Sequence, residues 1–244
     1  MATLKVSDIS ISISGNRILN NLSLEIGQAE IVGLIGPNGS GKTTLFNCIS
    51  GFLRADAGKI QLGDTELSDL LPHERAKLGL GRVFQIAGVF RDMTLLENLY
   101  VALEAKGTLA NLFFGSCNKL RTSAMEYLAQ IGLENRANAK ASSLSGGQLR
   151  LLEIARSLAS GAQVFLLDEP TAGVSPKMKD QVSSLIIKLR SLGKSVLVIE
   201  HDINFIQSFC NRIAVVNLGN VVLDGTPGEV RSSALLKEIY FGGS

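Results

Sequence analysis

The 244-residue sequence has no apolar run approaching the roughly 18 to 20 residues that a bilayer-spanning helix needs. Its first residues, Met1-Ala2-Thr3-Leu4-Lys5, lack the charged-then-apolar layout of a secretory signal. The expectation is a chain that does not enter a membrane by itself, though it can dock onto one. Cysteine is scarce: Cys48, Cys117 and Cys210 lie far apart, form no metal-ligand pair and suit a reducing cytosol. Cys48 falls in a stretch that reads as helical and Cys210 in an amphipathic one, and both are expected to be small core residues. Neither sign of charge dominates. With 24 Lys and Arg against 22 Asp and Glu, the net charge is +2 and no basic cluster forms, so no nucleic-acid partner is expected. No repeat of 20 to 50 residues and no heptad run is present, which excludes a solenoid and a long coiled coil. Glu200-His201-Asp202 has no second histidine for a zinc motif, and Gly79-Leu80-Gly81 has no third glycine for a dinucleotide fingerprint.

What is present is a phosphate-binding pattern. Gly36-Pro37-Asn38-Gly39-Ser40-Gly41-Lys42-Thr43-Thr44 fits G-x-x-x-x-G-K-[ST]. The apolar run Glu30 to Ile35 enters it as a buried strand, and Leu45, Phe46 and Ile49 leave it at helical spacing before Gly51. Glycines let backbone N–H groups converge on a phosphate at a helix N-terminus, which carries about half a positive charge. Lys42 adds a point charge toward the β- and γ-phosphates, and the Thr43 hydroxyl can ligate Mg²⁺. The stretch implies a nucleoside triphosphate site.

The rest of the chain supplies a fold around that loop. Leu4 to Ile13 and Leu22 to Ile26 alternate apolar and polar residues on either side of Gly15-Asn16, as antiparallel strands do. Lys59 to Leu62 and Arg82-Val83-Phe84 read as further strands, and Pro72 to Lys77 as a short helix. Thr94 caps a helix with Glu97 completing the box, and Gly107 ends it. Lys119 to Ile131 is a further helix, the polar stretch Asn135 to Ser143 a linker, and Gln148 to Leu158 another helix. Val164 to Leu167 and Ser195 to Ile199 are continuous apolar runs, the mark of parallel strands buried on both faces. Helices follow from Pro176 to about Arg190 and from Asp202 to Phe209, then a hairpin turning at Gly219-Asn220. Strands alternating with helices predict an α/β fold with a mostly parallel core sheet.

Two further stretches carry chemistry. Val164 to Leu167 delivers Asp168 and Glu169, and adjacent carboxylates at the end of an apolar strand call for a compensating cation. Asp168 is placed to hold Mg²⁺, directly or through water. Glu169 is placed as general base for the attacking water, a role typically worth about 10²- to 10⁴-fold in rate. Leu144-Ser145-Gly146-Gly147-Gln148 opens a helix with two glycines, making a second anion site. One chain with one triphosphate has no use for it, which points to the γ-phosphate bound on a partner subunit.

On these motifs the sequence resembles the ATP-binding subunit of ABC transporters over nearly all of its length. Ser145, Gly146, Gly147 and Gln148 resemble that family's signature loop, Gln85 its glutamine loop and His201 its switch histidine. The resemblance implies that Gln85 contacts Mg²⁺ and reports nucleotide state to membrane subunits. It implies that His201 touches the γ-phosphate and positions Glu169. It implies a P-loop NTPase fold of the ABC ATPase type, with an N-terminal antiparallel β subdomain. Residues 1–85 and 160–244 would form the RecA-like core with that β part, and about 86–159 the helical subdomain.

Phe90 to Asn98, Glu153-Ile154-Ala155-Arg156, Asp168 to Pro176, Ile199 to Asp202 and Tyr240-Phe241-Gly242 resemble branched-chain amino-acid uptake ATPases. Lipopolysaccharide export, urea or amide uptake and a soluble non-transport ABC ATPase are the alternatives. The implied partners are membrane permease subunits, a second ATPase subunit in a homo- or heterodimer and, indirectly, an extracytoplasmic binding protein. The implied location is the cytoplasmic face of the cell membrane, through the permease.

Two departures stand out. Ile13 occupies the slot where the family stacks an aromatic on adenine, a contact worth roughly 1 to 3 kcal/mol, which implies weak adenine discrimination. Ser175 stands where many members carry aspartate. Phe90 and the apolar patch Leu109 to Phe114 fill a helical lobe in one reading and receive a membrane subunit's coupling helix in the other.

Overall fold

In the computed structural model, residues 2–84, 88–105 and 117–241 are described. Gln85, Gly107 and the patch Leu109 to Phe114 lie outside the described residues.

The alternating N-terminal residues form β1 (Ala2–Ile13) and β2 (Asn16–Gly27), an antiparallel pair that continues through β4 (Ala57–Leu62) to β5 (Thr65–Glu66) in the order β2-β1-β4-β5. Val6 and Ile9, three apart, both point into the core because a bulge intervenes at Asp8, whose φ is 52° and whose N–H donates to Ser23 Oγ at 2.9 Å. Ile13 breaks the pattern: it is 41% exposed at the hairpin end.

The second sheet among the described residues has the order β10-β9-β3-β8-β7-β6, comprising β3 (Ile31–Ile35), β6 (Leu80–Val83), β7 (Val164–Asp168), β8 (Ser195–Ile199), β9 (Arg212–Asn217) and β10 (Asn220–Gly225). All its neighbours are parallel except the β9–β10 hairpin. The continuous apolar runs are explained by two cores, one on each face. Ile31, Ile35, Phe165, Leu167, Val196 and Val198 belong to one; Val32, Leu34, Val164, Leu166, Leu197 and Ile199 belong to the other.

Helices cover the sheet. α1 (Lys42–Ser50) ends at Gly51 in the left-handed conformation, as its sequence predicts. The buried Arg75 of α2 (Pro72–Lys77) then donates to the terminal carbonyls of Cys48 at 2.6 Å and Ile49 at 2.7 Å. α3 (Leu95–Ala105), α4 (Cys117–Gln130) and α5 (Gly146–Ala159) pack on one another, with α3 capped by the Thr94–Glu97 pair. Their apolar side is continuous with the core on one face of the parallel sheet. α6 (Pro176–Ser191), α7 (Ile203–Gln207), α8 (Pro227–Ser232) and α9 (Ala234–Phe241) complete the order.

Several boundaries differ from the sequence reading. The segment 135–143 is more than a linker: two 3₁₀ turns form there, and the Ala137 and Ala139 carbonyls accept from Leu96 and Leu95 at the start of α3. α7 starts one residue later than predicted because Asp202 is its cap, accepting from Phe205 N–H at 3.1 Å, and it ends at Gln207. The last hairpin turns at Leu218-Gly219, both at positive φ, so Asn220 is already in the strand. Cys48 and Cys210 are buried as expected.

Candidate functional site

β3 delivers the chain to the loop 36–41 at the C-terminal edge of the parallel sheet, and α1 starts at Lys42. Gly41 takes the N-cap with φ 106°, where a Cβ would lie 2.6 Å from Leu19 Cδ2. No side chain caps the helix and no acid occupies its first turn, so its N–H groups stay open to an anion. Lys42 Nζ is buried and donates to the carbonyls of Gly36 at 2.7 Å and Pro37 at 2.8 Å. Burial lowers the lysine's pKa, while the charges of Glu169 and Asp168 act the other way.

A cavity of about 300 Å³ opens over this loop, lined by Asn38, Gly39, Gly41, Lys42, Thr43 and Thr44 together with Ile18, Glu169 and His201. Residues more than 120 positions apart in the chain thus face one space. Ile13 is not among the lining residues; Ile18, five positions on, is. Only the fold brings Ile18 here, through the strand whose next residue, Leu19, lies against Gly41.

Two loops converge at the cavity's far wall. Glu169, at φ 47°, is held by its own N–H to the Ile199 carbonyl at 3.0 Å. Its Oε1 lies 2.6 Å from His201 Nε2. Next to this rung, the buried Glu200 accepts from Thr171 N–H at 3.0 Å and Thr171 Oγ1 at 2.7 Å. Burial raises the Glu200 pKa and the two Thr171 bonds oppose it. Sequence reasoning missed Glu200, because a carboxylate after an apolar strand gives no hint of which loop it braces.

Asp168 ends β7 and is buried, its Oδ2 3.4 Å from Arg82 Nη2. Burial pushes its carboxyl above the ordinary aspartate range, with Arg82 pulling the other way. Arg82 was also missed, although a lone arginine within an otherwise apolar strand was visible. Among the described residues no group of three or more His, Cys, Asp or Glu is placed to hold a metal ion by itself. A hydroxyl and a carboxylate, Thr43 and Asp168, are hard oxygen donors that suit a Mg²⁺ ion taking most of its shell from phosphate and water.

The stretch 144–148 stands apart from this cavity. α5 starts at Gly146, two residues earlier than predicted, because Ser145 and Gln148 form a reciprocal cap: Gln148 N–H donates to Ser145 Oγ at 3.4 Å and Ser145 N–H to Gln148 Oε1 at 3.1 Å. Gly147 lets α6 approach, since a Cβ there would sit 2.7 Å from Met178 Cε. Further along α5, Arg150 and Glu153 pair at 2.8 Å in a buried position. Arg150 donates to the Phe84 carbonyl, Arg156 to the Gly88 carbonyl, and Glu153 accepts from Gly88 N–H at 2.9 Å. Both flanks of the Gln85 segment are therefore tied to α5. Charges at spacing three inside a buried helix side were the sequence signal for this.

Comparison with known proteins agrees with the arrangement. The ABC transporter family model matches residues 19–172. The chain is 38% identical over 249 aligned positions to the high-affinity branched-chain amino acid transport ATP-binding protein LivG of Salmonella typhimurium, covering 98% of this chain and 97% of the relative. BraF of Pseudomonas aeruginosa, with the same description, is 38% identical with coverage of 98% and 97%. The lipopolysaccharide export system ATP-binding protein LptB of Escherichia coli K12 is 36% identical, with 99% and 98% covered. A crystal structure of the ADP conformation of an ABC transporter ATP-binding cassette superposes with a TM-score of 0.88 at 30% identity, covering 99% of each chain.

Proposed function

The chain belongs to the ABC transporter family and is an ATPase, and we propose that it powers uptake of branched-chain or other hydrophobic amino acids. The observation that carries this reading is the match to LivG and BraF at 38% identity over nearly the whole chain. Lipopolysaccharide export is the second reading, favoured by the match to LptB.

In the proposed mechanism Lys42 leaves the Gly36 and Pro37 carbonyls for the β- and γ-phosphates of ATP, while the open N–H groups of α1 take the remaining oxygens. Thr43 and Asp168, with Gln85, would hold Mg²⁺, which when bound would neutralise phosphate charge. Glu169 accepts the proton of the attacking water, and His201, already 2.6 Å from it, holds that carboxylate in place. Ser145 to Gln148 present the N-terminus of α5 to the triphosphate of a second ATPase subunit, since they lie outside this chain's own cavity. Residues 86–159 act as the helical subdomain against the rest.

No described helix is long and apolar enough to cross a membrane, so the proposed attachment is through permease subunits, on the cytoplasmic face. Affinity purification from detergent-solubilised membranes, with the co-purifying chains identified by mass spectrometry, tests this. The uptake reading expects two hydrophobic permease subunits and a second ATPase. Lipopolysaccharide-export components, or ribosomal and repair proteins alone, would overturn it.

Phe90 is proposed to lie in the permease-facing surface. It is 44% exposed, with the Arg156 guanidinium 4.7 Å from its ring centre and its N–H held by Asn98 Oδ1 at 2.9 Å. Phe90→Glu is expected to abolish substrate uptake in reconstituted vesicles and leave the ATPase rate of the isolated subunit within about twofold, as surface substitutions outside the site usually do. Normal uptake would place the docking surface elsewhere.

A further inference from the structure

Arg82 touches both elements on which Thr43 and Asp168 sit. Its Nη1 donates to Asn47 Oδ1 at 2.7 Å and Ser50 Oγ at 2.6 Å, both on α1, the helix that carries Thr43. Its Nη2 reaches Asp168 at 3.4 Å, on β7. The guanidinium lies 4.6 Å from the ring centre of Phe84, the residue before Gln85, with the rings of Phe52 and Phe46 at 5.6 Å and 5.9 Å. The side chain is only 8% exposed, and its Nε has no hydrogen-bond partner.

These contacts are unequal, and the inequality is informative. Two short bonds anchor the guanidinium to α1, whereas the contact with Asp168 is long. Arg82 therefore stays with the helix, and the carboxylate is the partner that can turn away. An ionised carboxylate this buried is stabilised by a cation beside it. Mg²⁺ and a guanidinium compete for that place, because each repels the other and both attract the carboxylate.

We propose that Arg82 is a positioning residue that acts through Asp168, as the resident cation with which Mg²⁺ competes for that carboxylate. This rests on the reading of Thr43 and Asp168 as metal ligands. It sets the Mg²⁺ requirement of the site: the metal must displace a resident charge before the carboxylate can serve it. Removing the charge should tighten the site for Mg²⁺, the opposite of what general structural damage does.

The test is equilibrium binding of trinitrophenyl-ATP, followed by fluorescence while free Mg²⁺ is titrated, for wild type, R82Q, R82M and R82K. Methionine keeps the apolar contacts with the three phenylalanine rings, so R82M carries the test if R82Q fails to fold. For the two neutral variants the half-saturating Mg²⁺ concentration is expected to fall about tenfold. R82K, which keeps the charge, is expected to stay within about twofold of wild type. A wild type that responds to Mg²⁺ beside neutral variants that titrate with it, or that need more Mg²⁺, would overturn the role of Arg82 alone. Analogue binding by wild type that ignores Mg²⁺ would overturn the metal reading of Thr43 and Asp168, and the Arg82 role with it.

Discussion

Replacing Glu169 by glutamine is expected to reduce ATP turnover more than about a hundredfold, the usual loss when a general base is removed, while ATP binding stays within about threefold. The amide has the carboxylate's shape and can still hydrogen-bond to His201 Nε2, now 2.6 Å from Oε1. It cannot accept the proton of the attacking water. Residue 169 sits at φ 47°, a conformation that costs Glu and Gln alike, so the substitution adds no backbone strain. Thermal stability should therefore match wild type. With binding intact and hydrolysis blocked, the ATP-bound dimer should accumulate. Phosphate release and light scattering after gel filtration with ATP measure the two effects. A variant that still hydrolyses ATP at the wild-type rate would remove Glu169 from the mechanism.

Lys42→Ala is expected to weaken ATP binding roughly a hundredfold, about 3 kcal/mol, as truncating one partner of a buried charge pair does. The ammonium is already dehydrated: it is 6% exposed and bonded to the Gly36 and Pro37 carbonyls. Exchanging those neutral acceptors for phosphate oxygens strengthens each bond, because charge-assisted hydrogen bonds are about twice as strong. The folded chain loses less. Two carbonyls lose their donor, but a buried cation with a burial-lowered pKa also disappears. Titration calorimetry with ATP, alongside a thermal melt, separates the two. Wild-type affinity in this variant would place the triphosphate somewhere other than the 36–44 loop.

The helix that follows the 36–44 loop, with its stop at Gly51, was legible in outline. Gly41, Lys42 and Gly51 mark the cap, start and stop of α1 because each is a local backbone decision, made by φ preference and i→i+4 spacing. The buried strands were legible for a similar reason: a run such as Val164 to Leu167 has no polar residue to place on either face. Gln148 was harder. Its position three residues after Ser145 is a capping-box spacing, yet two intervening glycines read as loop, and only the reciprocal bonds put them inside the helix. Ile13 was read by analogy of position, but the turn that ends β1 leaves Ile13 exposed and the cavity wall to Ile18.

The sequence by itself determined the buried strands that lead to Asp168 and His201, the helix that follows the 36–44 loop, and the parallel character of the core sheet. These follow from short-range periodicity, which the chain expresses wherever it folds. Only the tertiary structure decided which side chains meet. The 2.6 Å contact of Glu169 with His201 spans 32 residues and exists because β7 and β8 are neighbours in the sheet. The bond from Arg82 to Asp168 spans 86 residues and exists because β6 pairs with β7. Strand order is set by burying two opposite apolar faces at once, and a single sequence window contains neither face whole.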